Sequence, residues 1–295
     1  MTSNLKPRED HRHVLAPGEH EAFFFAFTTE DGEMFGTLRL IFGRGGILEV
    51  VALRYAGRIW THQHAGPWPA ATESPAQVAG PHLSLACEAP WQRWRAHVEH
   101  AVAAVADEST RALELDVRFE ATTLPTRYQL GAYQQAAQDG RFHVALRLND
   151  SAWEGEVTGY RDHSWGQRHE GQGAAMWRVA VIPQRLYLMA GETAAGPVSF
   201  GRILSPEGDA RPVAQPRITP TEAGWRITDP DADLAPWRVQ RRAPPLVTYM
   251  GGPGQETIRD APEPGDWGRD QFGPALYQSS TGEQIVGFFE EGGAL

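Results

Sequence analysis

The sequence predicts an all-β protein, and three observations carry that reading. Short apolar runs with strand alternation recur along the chain, separated by turn segments rich in Gly, Pro, Asn and Asp. Convincing amphipathic helices are scarce. The 295 residues, 41% hydrophobic and 22% charged, suffice for about two soluble domains that bury cores without staples. Short strands at regular spacing build barrels or sandwiches.

The elements follow in order. Residues 1–18 are polar, end at Pro17-Gly18 and read as a flexible arm. Residues 22–27 form an aromatic strand, and Asp31-Gly32 turns it into a second strand over 34–42. Gly43, Gly45 and Gly46 make the next turn, and strands over 47–54 and 58–62 continue the meander. Residues 65–81 lack periodicity and read as a long loop, with Trp68 as a candidate lid aromatic or anchor. Residues 91–106 fit both periods. Strand is preferred, because Asp107-Glu108-Ser109 then turns the chain into a clear strand at 113–119. Strands follow at 128–135, 142–148 and 153–160, with turns at Asp139-Gly140 and Asn149-Asp150. Beyond residue 170, strands are expected at 176–182, 186–191, 197–204, 225–228, 237–242 and 284–289, and 243–275 reads as a second long excursion.

Composition excludes several function classes. The net charge of −10 argues against nucleic acid, whose phosphates demand a concentrated basic surface. The polar N-terminus lacks the apolar core of a secretory signal, and no apolar run is long enough to span a bilayer. A cytoplasmic protein is expected. The single cysteine, Cys87, excludes an internal disulfide and any multi-cysteine zinc site, and reads as a small buried hydrophobe.

The densest chemical stretch is Gly159-Tyr160-Arg161-Asp162-His163-Ser164-Trp165-Gly166-Gln167-Arg168. If the preceding alternation runs on, Tyr160 and Asp162 share one face of the sheet while Arg161, His163 and Trp165 share the other. Titratable groups beside an indole suit acid–base chemistry in an apolar cavity. An Asp, an Arg and a Trp at a strand end also suit a structural corner, with Arg161 or Arg168 pairing with Asp162.

This stretch resembles the DHSWG-x-R signature of the superfamily of carotenoid 1,2-hydratases (hydroxyneurosporene synthases) and AttH-like proteins, with Diels–Alderases of decalin biosynthesis as more distant kin. Glu21 to Phe27 resembles the family's opening strand, Pro90 to Arg95 its P…W-R strand, Tyr133-Gln134-Gln135 its Y-x-Q element and Gly287-Phe288-Phe289-Glu290 its closing G-x-x-E strand. The resemblance implies two lipocalin-like (calycin) antiparallel β-barrels packed side by side, with a ligand cavity between or within them. Domains are then expected at 19–158 and 159–295, with the boundary falling between 125 and 175. It does not imply one reaction, because one fold hosts many activities.

The expected activity is that of a cofactor-independent lyase, hydratase or isomerase acting on a hydrophobic small molecule of terpenoid, steroid, polyketide or aryl-propane type. Asp162 would be the acid–base group, since a dry pocket raises a carboxyl toward working pH. His163 would relay or orient, Tyr160 would donate to a developing oxyanion, and Trp165 would form an apolar wall. Tyr133, Gln135 and Arg168 are pocket candidates. The hydratases resemble this chain less at Tyr133-Gln134-Gln135, where they carry His-x-Trp, so carotenoid hydration is not expected. The alternative is a lipocalin-like protein that binds an apolar ligand without chemistry. Self-association into a homodimer is left open.

Other motifs carry less. His62-x-His64 lacks the closely following Glu of a cupin metal site, and His163 with His169 lacks a supporting metal motif, so no metal is expected. Gly43-Arg44-Gly45-Gly46 lacks a phosphate-loop ending, and Pro253 removes an amide donor from Gly251–Gly254. No serine-hydrolase elbow occurs, and Ser164 and His163 point to opposite faces.

Overall fold

A computed structural model describes residues 5–43, 46–67, 74–104, 106–107, 109–130, 132–167, 176–193, 196–204, 210–213, 215–228, 236–241, 246–251 and 267–294. The chain forms two curled antiparallel sheets. The first contains β1 (Glu19–Thr28), β2 (Phe35–Gly43), β3 (Gly46–Tyr55), β4 (Arg58–Gly66), β5 (Gln77–Ala79), β6 (Leu83–Ala89), β7 (Arg93–Ala104), β8 (Thr110–Ala121), β9 (Thr126–Leu130), β10 (Tyr133–Leu148) and β11 (Ser151–Gln167). The second contains β12 (Met176–Ile182), β13 (Leu186–Thr193), β14 (Gly196–Leu204), β15 (Ala210–Val213), β16 (Arg217–Thr221), β17 (Gly224–Thr228), β18 (Trp237–Arg241), β19 (Leu246–Gly251), β20 (Trp267–Ser279) and β21 (Gln284–Ala294).

The first sheet runs β4-β3-β2-β1-β11-β10-β8-β7 and then closes, because β4 also pairs with β7. β6 and β5 continue beyond β7, and β9 pairs with β10. The second sheet runs β15-β14-β13-β12-β21-β20-β18-β17-β16, with β19 on β20. Paired lipocalin-like barrels, the architecture expected from the sequence, are what the molecule has.

Three cores explain the strand patterns. One fills the first barrel with Phe23, Phe25, Phe27, Trp94, Phe119 and Phe142 among others. Another fills the second barrel around Leu188, Ile227, Tyr277 and Phe289. The third lies between the sheets, where Phe24, Ala26, Phe35 and Tyr160 of the first meet Val179, Val181, Tyr187, Phe272 and Phe288 of the second. β1 is therefore buried on both faces, which is why its sequence is a continuous aromatic run rather than an alternation. Each buried phenylalanine contributes about 1.5–3 kcal/mol of transfer free energy.

The ambiguous segment at 91–106 is strand β7, with Trp94, Ala96, Val98 and Val102 alternating into the first core. The Asn149-Asp150 turn is also present: Asn149 has φ +49°, a conformation Asn tolerates, and it joins β10 to β11.

β11 runs unbroken to Gln167 and pairs with β1 and β10, so the signature strand belongs to the first sheet, and the passage to the second sheet falls after residue 167, within the expected 125–175 range. Two expectations need correction. The expected Asp139-Gly140 turn is absent, because β10 runs as one strand from Tyr133 to Leu148 with both residues paired to β11. The N-terminal arm is anchored over its described part. Pro7–Asp10 is a short 3-10 turn, and Asp10 is fully buried, where it accepts hydrogen bonds from the Trp94 indole (2.9 Å) and the Trp91 backbone (2.5 Å). A carboxylate in a polar-looking arm gave no sign in sequence of a guanidinium waiting inside the barrel. β5 falls within the predicted loop at 65–81, and β19 and the start of β20 fall within 243–275.

Candidate functional site

β11 divides the signature between two environments. Its register sets Arg161 opposite Phe25 and Gln138, and His163 opposite Phe23 and Ala136, facing the first barrel's interior. It sets Tyr160 opposite Ala26 and Asp139, and Asp162 opposite Phe24 and Ala137, facing the second sheet. Two glycines permit this course. A Cβ at Gly159 would lie 2.0 Å from the Ala26 carbonyl oxygen. Gly166 has φ +107°, and a Cβ there would lie 2.3 Å from the Ala132 carbonyl oxygen.

Inside the barrel the signature is engaged in an ion pair at Arg161 and a hydrogen bond to a carboxylate at His163. Arg161 donates to Asp10 at 2.5 Å and to the Gln138 amide oxygen at 3.0 Å, with Trp91, Trp94 and Phe119 rings against its guanidinium. His163 bonds the fully buried Glu21 at 2.9 Å, and His13 of the arm bonds the same carboxylate at 2.7 Å. Burial alone would raise the Glu21 carboxyl, but the hydrogen bonds from His13 and His163 overcome it and hold it below its ordinary value. Burial pushes His163 down despite that partner. Trp165 stacks on His13 with ring centres 4.9 Å apart. An open hollow of about 430 Å³ lies beside them, lined by Arg8, Glu9, His11, Arg12, His13, Pro75 and Trp165.

The other face builds a different site. Tyr160 and Tyr187 are fully buried where the sheets meet, their rings 6.0 Å apart. The Gln135 amide donates to the Tyr187 hydroxyl at 3.1 Å. Tyr128 stacks on Tyr187 (5.3 Å) and Phe200 (4.3 Å), and its buried hydroxyl has no protein partner among the described residues. Asp162 is half-buried. Burial raises both Tyr160 and Tyr187 well above the ordinary phenol value, and the charges of Asp162 and Glu290 add to the rise. Both phenols therefore stay protonated and able to donate. Glu290 of β21 accepts from the Trp177 indole at 3.2 Å. Arg39 covers Phe24 with its guanidinium 4.7 Å from the ring centre.

A third group staples the sheets. Arg202 of β14, fully buried, bonds Asp139 (2.7 Å), the Ala137 carbonyl (3.1 Å) and the Thr126 hydroxyl.

Of the residues singled out from sequence, Asp162, Tyr160 and Gln135 come together at the seam, and Tyr133 stands on the same face of β10 as Gln135. His163 and Trp165 face the barrel interior, so the imidazole is separated from Asp162 by the strand itself. Trp68 and Arg168 lie outside the described residues. Sequence reasoning missed Tyr187, Tyr128 and Arg39, which no local motif marks. Glu290 was visible only as the end of the G-x-x-E strand.

Among the described residues, two groups place three potential metal-ligand atoms within 4.8 Å of one another: His13, Glu21 and His163, and His62, His82 and His100. In the first group both imidazoles already bond the carboxylate. The second departs from the sequence expectation. His62 gathers with His82 and His100 from distant elements, and the carboxylate beside it is Glu49, upstream in sequence. Burial and the neighbouring imidazoles push His100 down.

The fold and seam together define a protein of paired lipocalin-like barrels. The chain belongs to the family described as "Domain of unknown function (DUF7064)", whose model matches residues 6–224. No curated protein matches it. Solved structures do. A candidate AttH from Nitrosomonas europaea is 11% identical over 99% of this chain and 98% of its own, with a TM-score of 0.66. Kievitone hydratase from Nectria haematococca is 10% identical over 97% and 92%, with a TM-score of 0.61. CghA solved with Sch210972 is 10% identical over 96% and 93%, with a TM-score of 0.56. At these identities the likeness is one of fold.

Proposed function

We propose that the chain is an enzyme that adds water to, isomerises or cyclises a hydrophobic small molecule by proton transfer at the seam between its barrels, with Asp162 as the acid–base group. One observation carries the reading. Asp162 shares its face of β11 with Tyr160, and the buried phenols of Tyr160 and Tyr187, on different sheets, meet there with rings 6.0 Å apart, where the charges of Asp162 and Glu290 reach both. The seam thus gathers carboxylates that can move protons and phenols that can hold a developing oxyanion, against walls of Phe24, Phe272 and Phe288.

In a hydration, one carboxyl gives its proton to carbon while a carboxylate takes a proton from the water whose oxygen adds. The two groups end with one proton between them, as they began. In an isomerisation, the carboxylate removes a proton from one carbon and the resulting acid returns it to another. Tyr160 or Tyr187 donates to a substrate oxygen as it gains charge. Gln135 holds the Tyr187 hydroxyl in place. Substrates of terpenoid, steroid, polyketide or aryl-propane type fit such walls.

Two similar structures point the same way, since one is a hydratase and another was solved with Sch210972. The first barrel's interior is packed with its core side chains, which argues against a ligand held in that cup. The test is to incubate the protein with a panel of unsaturated apolar compounds and look by mass spectrometry for products heavier by one water or rearranged at constant mass. A product made by the native protein and lost in Asp162→Asn supports the reading. Equal turnover in Asp162→Asn removes Asp162 from the chemistry.

A further inference from the structure

The first barrel closes imperfectly. Among the described residues, the ladder between β4 and β7 contains the pairs Trp60↔Ala104 and Thr61↔Ala103. Where the strands part, three imidazoles fill the gap: His62 from β4, His100 from β7, and His82 from the turn between β5 and β6. His82 and His100 stack with ring centres 3.7 Å apart, and His62 meets them edge-on at 5.0 and 4.3 Å. His64 stands beside them, its ring 5.8 Å from that of His82.

One buried carboxylate organises the group. Glu49 is wholly buried, and its Oε1 bonds His62 Nε2 at 2.9 Å. Its Oε2 accepts the backbone N–H groups of His82 (3.0 Å) and Leu83 (2.8 Å). Burial would raise this carboxyl, but those hydrogen bonds hold it below its ordinary value, so it is an anion at neutral pH. Gly80 makes room for it, since a Cβ there would lie 2.2 Å from Oε2. A His62 that donates Nε2–H to Glu49 keeps the Nδ1 lone pair for a ligand. A carboxylate fixing the tautomer of a ligating histidine is the usual outer support of a metal site.

We propose that His62, His82 and His100 bind one divalent d-block cation of the zinc type, oriented by Glu49. Their ligand atoms lie within 4.8 Å of one another. A tetrahedral ion with bonds of about 2.0–2.1 Å holds its nitrogens about 3.3 Å apart, so small side-chain rotations draw these imidazoles in. Nitrogen ligands without thiolates suit zinc, copper, nickel and cobalt. Three protein ligands leave one position of a tetrahedral ion for water. The ion clasps β4 to β7 and to the β5–β6 turn, completing a closure that two backbone pairs leave weak. The site is independent of the proton chemistry proposed at the seam.

The experiment uses the full chain, freed of any tag and stripped with chelator, titrated with Zn²⁺ by calorimetry and with Co²⁺ by visible absorption. One ion per chain is expected, with the intense cobalt absorption of a low-coordinate nitrogen site and a raised unfolding temperature. His100→Gln and His82→Gln should each weaken binding by about 100-fold or more, and Glu49→Gln by about 10–100-fold. Asp162→Asn should bind as the native chain does, whatever its turnover. Should any of these variants fail to fold, His62→Gln serves in its place, and the cobalt spectrum of the native chain stands as a separate readout. Absence of stoichiometric binding, or native affinity in folded variants that lack these imidazoles, overturns the proposal.

Discussion

Asp162 and Arg161 are adjacent in sequence and stand on opposite faces of β11. That single fact sorts the signature into a scaffold face and the face proposed to carry the chemistry. Arg161 is held by Asp10 within the first core, so removing Asp10 leaves a buried guanidinium without its counter-charge. Asp10→Ala should destabilise the protein by about 3–5 kcal/mol in denaturant titration. A loss below about 1 kcal/mol would mean that the arm detaches in solution. His163 and Glu21 set a pH dependence. The folded pKa of His163 is below its unfolded value of 6.5, so the unfolded chain binds the proton more readily and stability falls as pH drops beneath 6.5. The folded pKa of Glu21 is below 4.5, so its contribution is complete above that value and is lost as pH falls through the folded one. Unfolding temperature should therefore decline in two stages on acidification. Glu21→Gln should shrink the lower stage, which Glu49 shares, and an unchanged acid profile would contradict the pairing of Glu21 with His13 and His163.

At the scale of elements, β1 and β11 carry the argument, because each presents one face to a barrel core and the other to the seam. The alternation in β11 was legible, and it assigned Tyr160 and Asp162 to one face and Arg161, His163 and Trp165 to the other. The aromatic run of β1 announced burial but not its two-sidedness, since a strand covered on both faces has no period to read. Gly159 and Gly166 were visible as residues of the signature, but the need for them, set by carbonyl oxygens of neighbouring segments, required the fold. Gly166→Ala should cost about 1–3 kcal/mol from its positive φ alone, with the contact at Ala132 adding to it. Near-native stability in thermal unfolding would show that β10 and β11 can part there. The roles of Tyr187, of Glu290 beyond its place in the closing strand, and of the histidine group were not legible, because each joins positions far apart in sequence, and pairing between distant elements leaves no local pattern.

At the scale of the molecule, two packed barrels leave the seam as the place where polar groups converge on apolar walls. Arg202 spans it, tying β14 to Asp139, Ala137 and Thr126 across the sheets. Arg202→Met should leave Asp139 unpaired and split thermal unfolding into two calorimetric transitions, one for each barrel. A single transition at the native temperature would show that the shared core alone couples them. The family match and the structural likenesses define this architecture, while the proposed chemistry rests on the seam. The most direct test compares the native protein with Asp162→Asn for transfer of solvent deuterium into a bound unsaturated ligand, with ligand affinity measured on the same samples. The account predicts carbon-bound deuterium with the native chain and a loss of about 100-fold or more in the variant at similar affinity. Undiminished exchange in the variant would contradict it.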